Sequence, residues 1–79
     1  MGTLRVGEVR FRVWSDDHTP RHVHAILGSG EAKLLLGDDG TVVLDEQVGL
    51  TRSEVRKAIA AALSAFDLLV ALWEQTHGN

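Results

Sequence analysis

The sequence contains no cysteine, which excludes disulfide staples, thiol nucleophiles and thiolate zinc sites. A chain of 79 residues buries only about 60% or slightly more of its unfolded surface. Without staples, such a chain depends on good packing, a metal held by other ligands, or a partner subunit. The absence of cysteine also fits a reducing cytoplasm. Positive charge is not in excess. The net charge is −3, which argues against a protein that coats nucleic acid over its whole surface but leaves a local basic patch open. No apolar segment follows a charged start, so no secretory signal is expected. Met1-Gly2 is followed by Val6 where a myristoylation signal wants Ser or Thr. The longest apolar run, residues 58–73, is interrupted by Ser64 and Asp67 and is short for a membrane span.

What is present reads as strands followed by a helix. Residues 4–6 and 8–14 form two strands around Gly7. In the second, Val9, Phe11 and Val13 alternate with Glu8, Arg10, Arg12 and Trp14, so period two sends the first set inward and the second outward. Residues 15–21 form a loop, because Asp16-Asp17 and Thr19-Pro20 are turn formers and the single proline blocks a helix. Residues 22–27 form a third strand with His22, His24 and Ile26 outward. Gly28-Ser29-Gly30 turns the chain. Residues 31–36 form a fourth strand with Glu31, Lys33 and Leu35 outward, and residues 41–44 a short fifth. Thr51 with Glu54 three residues on is a capping box, and Leu50 and Val55 stand where a hydrophobic staple sits. The helix then runs to about His77, roughly 39 Å of it. Its expected core stripe is Val55, Ile59, Leu63, Phe66, Val70 and Trp73. Leu68, Leu69 and Leu72 lie off that stripe, and so broad an apolar wrap points to a covering partner or a second copy.

The expected fold is α+β: one domain over residues 1–79, an antiparallel sheet of four or five strands (about 3–45) and one long C-terminal helix (about 52–77) packed on one face. The opposite face then carries Arg10, Arg12, Trp14, His22, His24, Glu31 and Lys33 together.

Three uses of that face compete. One is RNA cleavage without a metal, which needs proton carriers and cations around the phosphate. His22, His24 and Glu31 fit the first role, Arg10, Arg12 and Lys33 the second, and Trp14 offers a stacking surface for a base. Histidine titrates near neutrality, which suits both proton donation and removal. The second is metal binding, since His-x-His on a strand projects both rings to one side and His18 or Asp16 can complete a set. The neighbouring Arg and Lys count against it, and no metal is expected. The third is structural: the histidines order a loop, and the charges form cross-strand pairs such as Glu31 with Arg12. Other motifs fail. Gly28-Ser29-Gly30 has Lys33 where a dinucleotide loop needs a third glycine, Asp38-Asp39-Gly40 lacks a calcium-ligand ladder, and Ser15 has no nucleophile elbow around it.

The order of an aromatic-bearing strand, an acidic loop, Pro20-Arg21-His22-Val23-His24, a glycine turn, Gly30-Glu31-Ala32-Lys33 and a C-terminal helix reaching Trp73 resembles a family of small bacterial proteins of unknown function. Part of that family is known as DhiT-like toxins of type II toxin–antitoxin pairs. The likeness spans residues 9–73. Family members commonly have a second proline where this chain has Arg21, which leaves the loop less rigid and places one more cation beside the histidines. The resemblance implies a cytoplasmic toxin with a small antitoxin encoded beside it, and His22, His24, Glu31 and Lys33 as the matching residues. The site so expected is catalytic His22, His24, Glu31 and Lys33, with Arg10, Arg12, Trp14 and Arg21 binding substrate, possessing no cofactor and no metal. The alternative is a non-enzymatic binding module or a small histidine-based metal protein. Partners are the antitoxin and RNA, with oligomer or complex formation through Leu68, Leu69, Leu72 and Trp73, and no membrane.

Overall fold

The structure, a computed structural model, describes residues 2–77. Five strands, β1 (Gly2–Val6), β2 (Val9–Val13), β3 (His22–Leu27), β4 (Gly30–Leu36) and β5 (Val42–Val48), precede two helices, α1 (Arg52–Ser64) and α2 (Phe66–His77). The strands form one antiparallel sheet in the order β1-β2-β3-β4-β5, so every strand pairs with its neighbour in sequence. α1 packs across β2 to β5 and α2 across β1 to β3. Among the described residues no helix is long and apolar enough to cross a membrane.

Alternation decides which strand residues enter the core. Val9, Phe11 and Val13, then Val23, Ala25 and Leu27, then Ala32, Leu34 and Leu36 are all buried against the helices, as period two requires. The fifth strand is longer than residues 41–44. Asp45, Glu46 and Gln47 look like loop residues, yet they continue the strand, because an edge strand tolerates charge on its exposed surface. A bulge in β5 opposite Lys33 and Leu34 leaves Asp45 without a partner in the ladder. Where β4 begins, Gly30 lies so close to Gly49 that a Cβ would meet the Gly49 carbonyl oxygen at 2.6 Å, so the return of the chain into α1 needs a residue without a side chain there.

The single long helix gives way to two. A straight rod of about 39 Å would exceed the longest dimension of the molecule, 34 Å. The break falls at Ala65, which leaves helical geometry at φ −116°, ψ 24°. Beside it the Ser64 hydroxyl donates to the Ala61 carbonyl at 2.9 Å, a back-bond that bends helices. The start is as expected: Thr51 Oγ1 accepts from the Glu54 amide at 3.1 Å, and Glu54 Oε1 accepts from the Thr51 amide at 2.9 Å.

The buried stripe is also turned from the expected one. Ala58, Ala62, Ala65, Leu69 and Trp73 face the core, while Leu63 and Leu68 are exposed. Small alanines form the contact because they let the helix lie close to the sheet, and the larger Val55, Ile59, Phe66 and Val70 flank the seam half-buried. Leu69 and Trp73, expected to meet a partner, are therefore core residues of this chain.

Candidate functional site

The site begins with a turn. The Trp14 amide donates to Asp17 Oδ2 at 2.9 Å, and the Asp17 amide donates back to the Trp14 carbonyl at 3.1 Å. This pair fixes the aspartate side chain over the start of β3. There Asp17 Oδ1 lies 3.3 Å from His24 Nε2 and 3.5 Å from His22 Nε2. Burial opposes ionisation of Asp17, but the Trp14 amide, the His24 contact and the charge of both histidines outweigh it, and its pKa lies below the ordinary carboxylate value.

The second nitrogen of each ring is also engaged. His22 Nδ1 lies 2.8 Å from the Pro20 carbonyl oxygen and therefore donates to it. His24 Nδ1 lies 3.1 Å from Glu31 Oε2 on β4. The two rings meet edge to face with centroids 5.1 Å apart, and His22 stands 5.2 Å from the indole of Trp73. His77, in the last turn of α2, stacks on Trp73 at 3.8 Å. Its Nε2 reaches the Asp17 carbonyl at 3.0 Å and its Nδ1 the Trp73 carbonyl at 2.9 Å. The end of the helical layer is thus tied to the loop that carries Asp17.

Across the sheet, register makes a row. Thr3 pairs with Arg12, Arg12 with His24, His24 with Lys33, and Lys33 with Glu46. His24 therefore stands between two cations on neighbouring strands. The Arg12 guanidinium lies 5.7 Å from the ring centre of Trp14, and Lys33 Nζ is 3.3 Å from the bulged Asp45 carboxylate. His24, Glu31 and Lys33 line one cleft of about 360 Å³ with Ser29, Glu46, Gln47 and Val48. Arg10 and Arg12 border a second depression with Thr3 and Arg5.

Of the expected site residues, His24, Glu31, Lys33 and Arg12 come together, with Arg10 and Trp14 beside them. His22 is adjacent but only 3% exposed, so it stands behind the cleft. Arg21 is elsewhere: its guanidinium donates to the carbonyls of Leu36 (3.2 Å) and Gly37 (3.0 Å), and it lies 3.6 Å from Asp38. It ties the loop to the end of β4. Glu31 meets His24 and not Arg12. The residue that completes the histidine pair is Asp17, where sequence reasoning weighed Asp16 and His18. Asp17, Trp73 and His77 are the members that sequence reasoning missed. Only the loop conformation separates Asp17 from Asp16, and His77 comes from 60 residues away.

No curated protein and no solved structure matches the chain. A family model does match, over residues 9–74, a span that takes in the whole histidine cluster except His77. The chain belongs to the DUF4160 family, a domain of unknown function.

Proposed function

We propose that this protein is the toxin half of a bacterial toxin–antitoxin pair, acting in the cytoplasm on RNA through the open face of the sheet. The observation that carries the reading is the row in which Arg12 and Lys33 flank His24, with Glu31 behind its ring. Arg10, Arg12 and Lys33 hold backbone phosphate, and Trp14 stacks on a base. His24 takes the proton of a ribose 2′-hydroxyl. The 2′-oxygen bonds to phosphorus as the bond to the 5′-oxygen breaks, and the imidazolium returns its proton to that leaving oxygen. Lys33 offsets the charge that develops on the phosphoryl oxygens. His22 is a positioning residue: its ring, anchored on the Pro20 carbonyl, packs edge to face against that of His24.

Expression without a partner should slow growth, and His24→Ala should relieve the effect, since proton transfer contributes about 10²–10⁴-fold in rate. Lys33→Ala should weaken it, and Glu8→Ala should leave it intact. Full toxicity in a folded His24→Ala variant would overturn the catalytic reading. A second reading, an RNA-binding module without catalysis, draws on the carboxylates that face both His24 nitrogens. It takes over if toxicity disappears only when Arg10 and Arg12 are replaced.

The antitoxin or a second copy has an apolar foothold on the helices in Leu63 and Leu68, 51% and 62% exposed. Light scattering should show an assembly at tens of micromolar that Leu68→Glu dissociates. A wild-type monomer at that concentration would count against contact through the helices.

A further inference from the structure

We infer that Asp17 Oδ1, His22 Nε2 and His24 Nε2 form a binding site for a divalent first-row transition metal ion, with zinc as the best-suited occupant. This goes beyond the proposed action on RNA and does not rest on it. The three donor atoms lie within 4.8 Å of one another. Tetrahedral zinc, bound at about 2.0–2.1 Å, holds adjacent ligand atoms roughly 3.3 Å apart. The two aspartate–histidine separations are 3.3 and 3.5 Å, so two of the three edges already have the tetrahedral spacing and the third lies within 4.8 Å.

Lone-pair accounting points the same way. The His22 Nδ1 proton is committed to the Pro20 carbonyl. In the neutral ring, Nε2 therefore presents a lone pair to a carboxylate oxygen, two acceptors face to face. His24 has a carboxylate at each nitrogen, and a neutral ring has a proton for only one of them. A cation placed among the three atoms satisfies every contact at once. Both Nε2 atoms then ligate. His22 Nδ1–H donates to a backbone carbonyl and His24 Nδ1–H to the Glu31 carboxylate, the two kinds of outer partner that orient metal-bound histidine. The local charge is favourable. The Trp14 amide holds Asp17 Oδ2 and leaves Oδ1 at the two histidine nitrogens, Glu31 adds a second carboxylate beside His24, and Lys33 on the neighbouring strand is paired with Asp45. Of the cations that count against a metal in the linear sequence, Arg21 is bound to the Leu36 and Gly37 carbonyls, Lys33 to Asp45, and the Arg12 guanidinium lies toward the Trp14 ring. Three protein ligands leave a fourth corner for water or a substrate oxygen. With a metal on Nε2 and a proton on Nδ1 the His24 ring has no free lone pair, so zinc should suppress cleavage wherever His24 acts as the proton carrier.

Protons can bridge the same contacts, so the test is made at about pH 8, where ordinary histidine is neutral. The metal-free full-length chain is titrated with zinc chloride by calorimetry, and with cobalt chloride by visible absorption. One equivalent should bind, with the intense bands of four-coordinate cobalt, and zinc should raise Tm. Asp17→Asn or His22→Ala should abolish stoichiometric uptake, Glu31→Gln should weaken affinity about 10–100-fold, and Asp16→Asn and His18→Ala should leave it unchanged. Absence of uptake by the folded wild type, retention of uptake in Asp17→Asn, or its loss in His18→Ala would each overturn the site. Growth inhibition is not a readout in this experiment, so the toxin reading and the metal site stand or fall separately.

Discussion

At one end of the open face, the loop of residues 14–21 and the last turn of α2 close over His22 and His24. At the other, β5 stands with Val43, Leu44 and Val48 at 52%, 38% and 77% exposure. Both regions border the same sheet and carry polar side chains. They differ in how many elements converge. Strand, loop and helix all supply groups around His22, so each polar atom has a fixed partner. Around β5 the β4 ladder supplies most of the fixed partners, joined by the salt bridge from Lys33 to Asp45 and the Leu50 amide on Gln47 Oε1. Fixed geometry at one end is what site chemistry needs, and open backbone at the other is what a partner strand needs.

Removing the indole should break this contrast most strongly. Trp73→Ala takes away the ring between His22 and His77 and should cost about 3–5 kcal/mol in chemical denaturation. It should also release protection from hydrogen exchange in residues 14–21, while β5 amides change little. A loss confined to α2 would mean that the loop holds itself.

Asp17→Ala sharpens the comparison at a single side chain. It removes the acceptor of the Trp14 amide and the shared neighbour of two histidines, and in chelator it should cost about 1.5–3 kcal/mol. Its pH dependence has a definite sign. The folded pKa lies below the ordinary 3.8, so the unfolded chain takes up this proton first. The stabilisation is complete above about pH 4–5 and is lost as pH falls through the folded pKa. The acid limb of the stability profile should therefore be steeper in wild type than in Asp17→Ala, and parallel limbs would show that Asp17 contributes no linkage.

The smallest effect is expected on the open edge. Val48→Thr should change stability by no more than about 0.5 kcal/mol, and a larger loss would mean that β5 is covered in solution.

Much of the sheet was legible because period two survives in every core strand: Val9, Phe11 and Val13 need no tertiary information to be placed inward. The capping box at Thr51 was legible for the same reason, since it is local. The stripe of Ala58, Ala62 and Ala65 was not. Alanine carries little hydrophobic signal, and only the close approach of helix to sheet makes it the contact surface. The break at Ala65 was hidden because Ser64 is ordinary within helices until its hydroxyl turns back on Ala61. In the site, His24, Glu31 and Lys33 share a face by alternation alone. Asp17 and Asp16 are indistinguishable until the turn at Trp14 chooses between them, and His77 enters only after the chain has gone round the whole domain. Arg21 shows the reverse case, a cation beside the histidines in sequence whose hydrogen bonds lead it to the end of β4.

The strictly sequential strand order has a consequence for how the molecule assembles. Each hairpin closes over a short stretch of chain, so the sheet can zip up from local contacts with little loop entropy to overcome. The histidine cluster follows a different schedule. Its contact between His77 and Asp17 spans 60 residues, and Trp73 arrives with the same late helix. During synthesis the sheet can therefore be in register while the cluster is still open, and the site is complete only when α2 docks. In a Trp14→Phe variant, where Trp73 is the one remaining indole, the fluorescence change on refolding should trail the β-sheet signal.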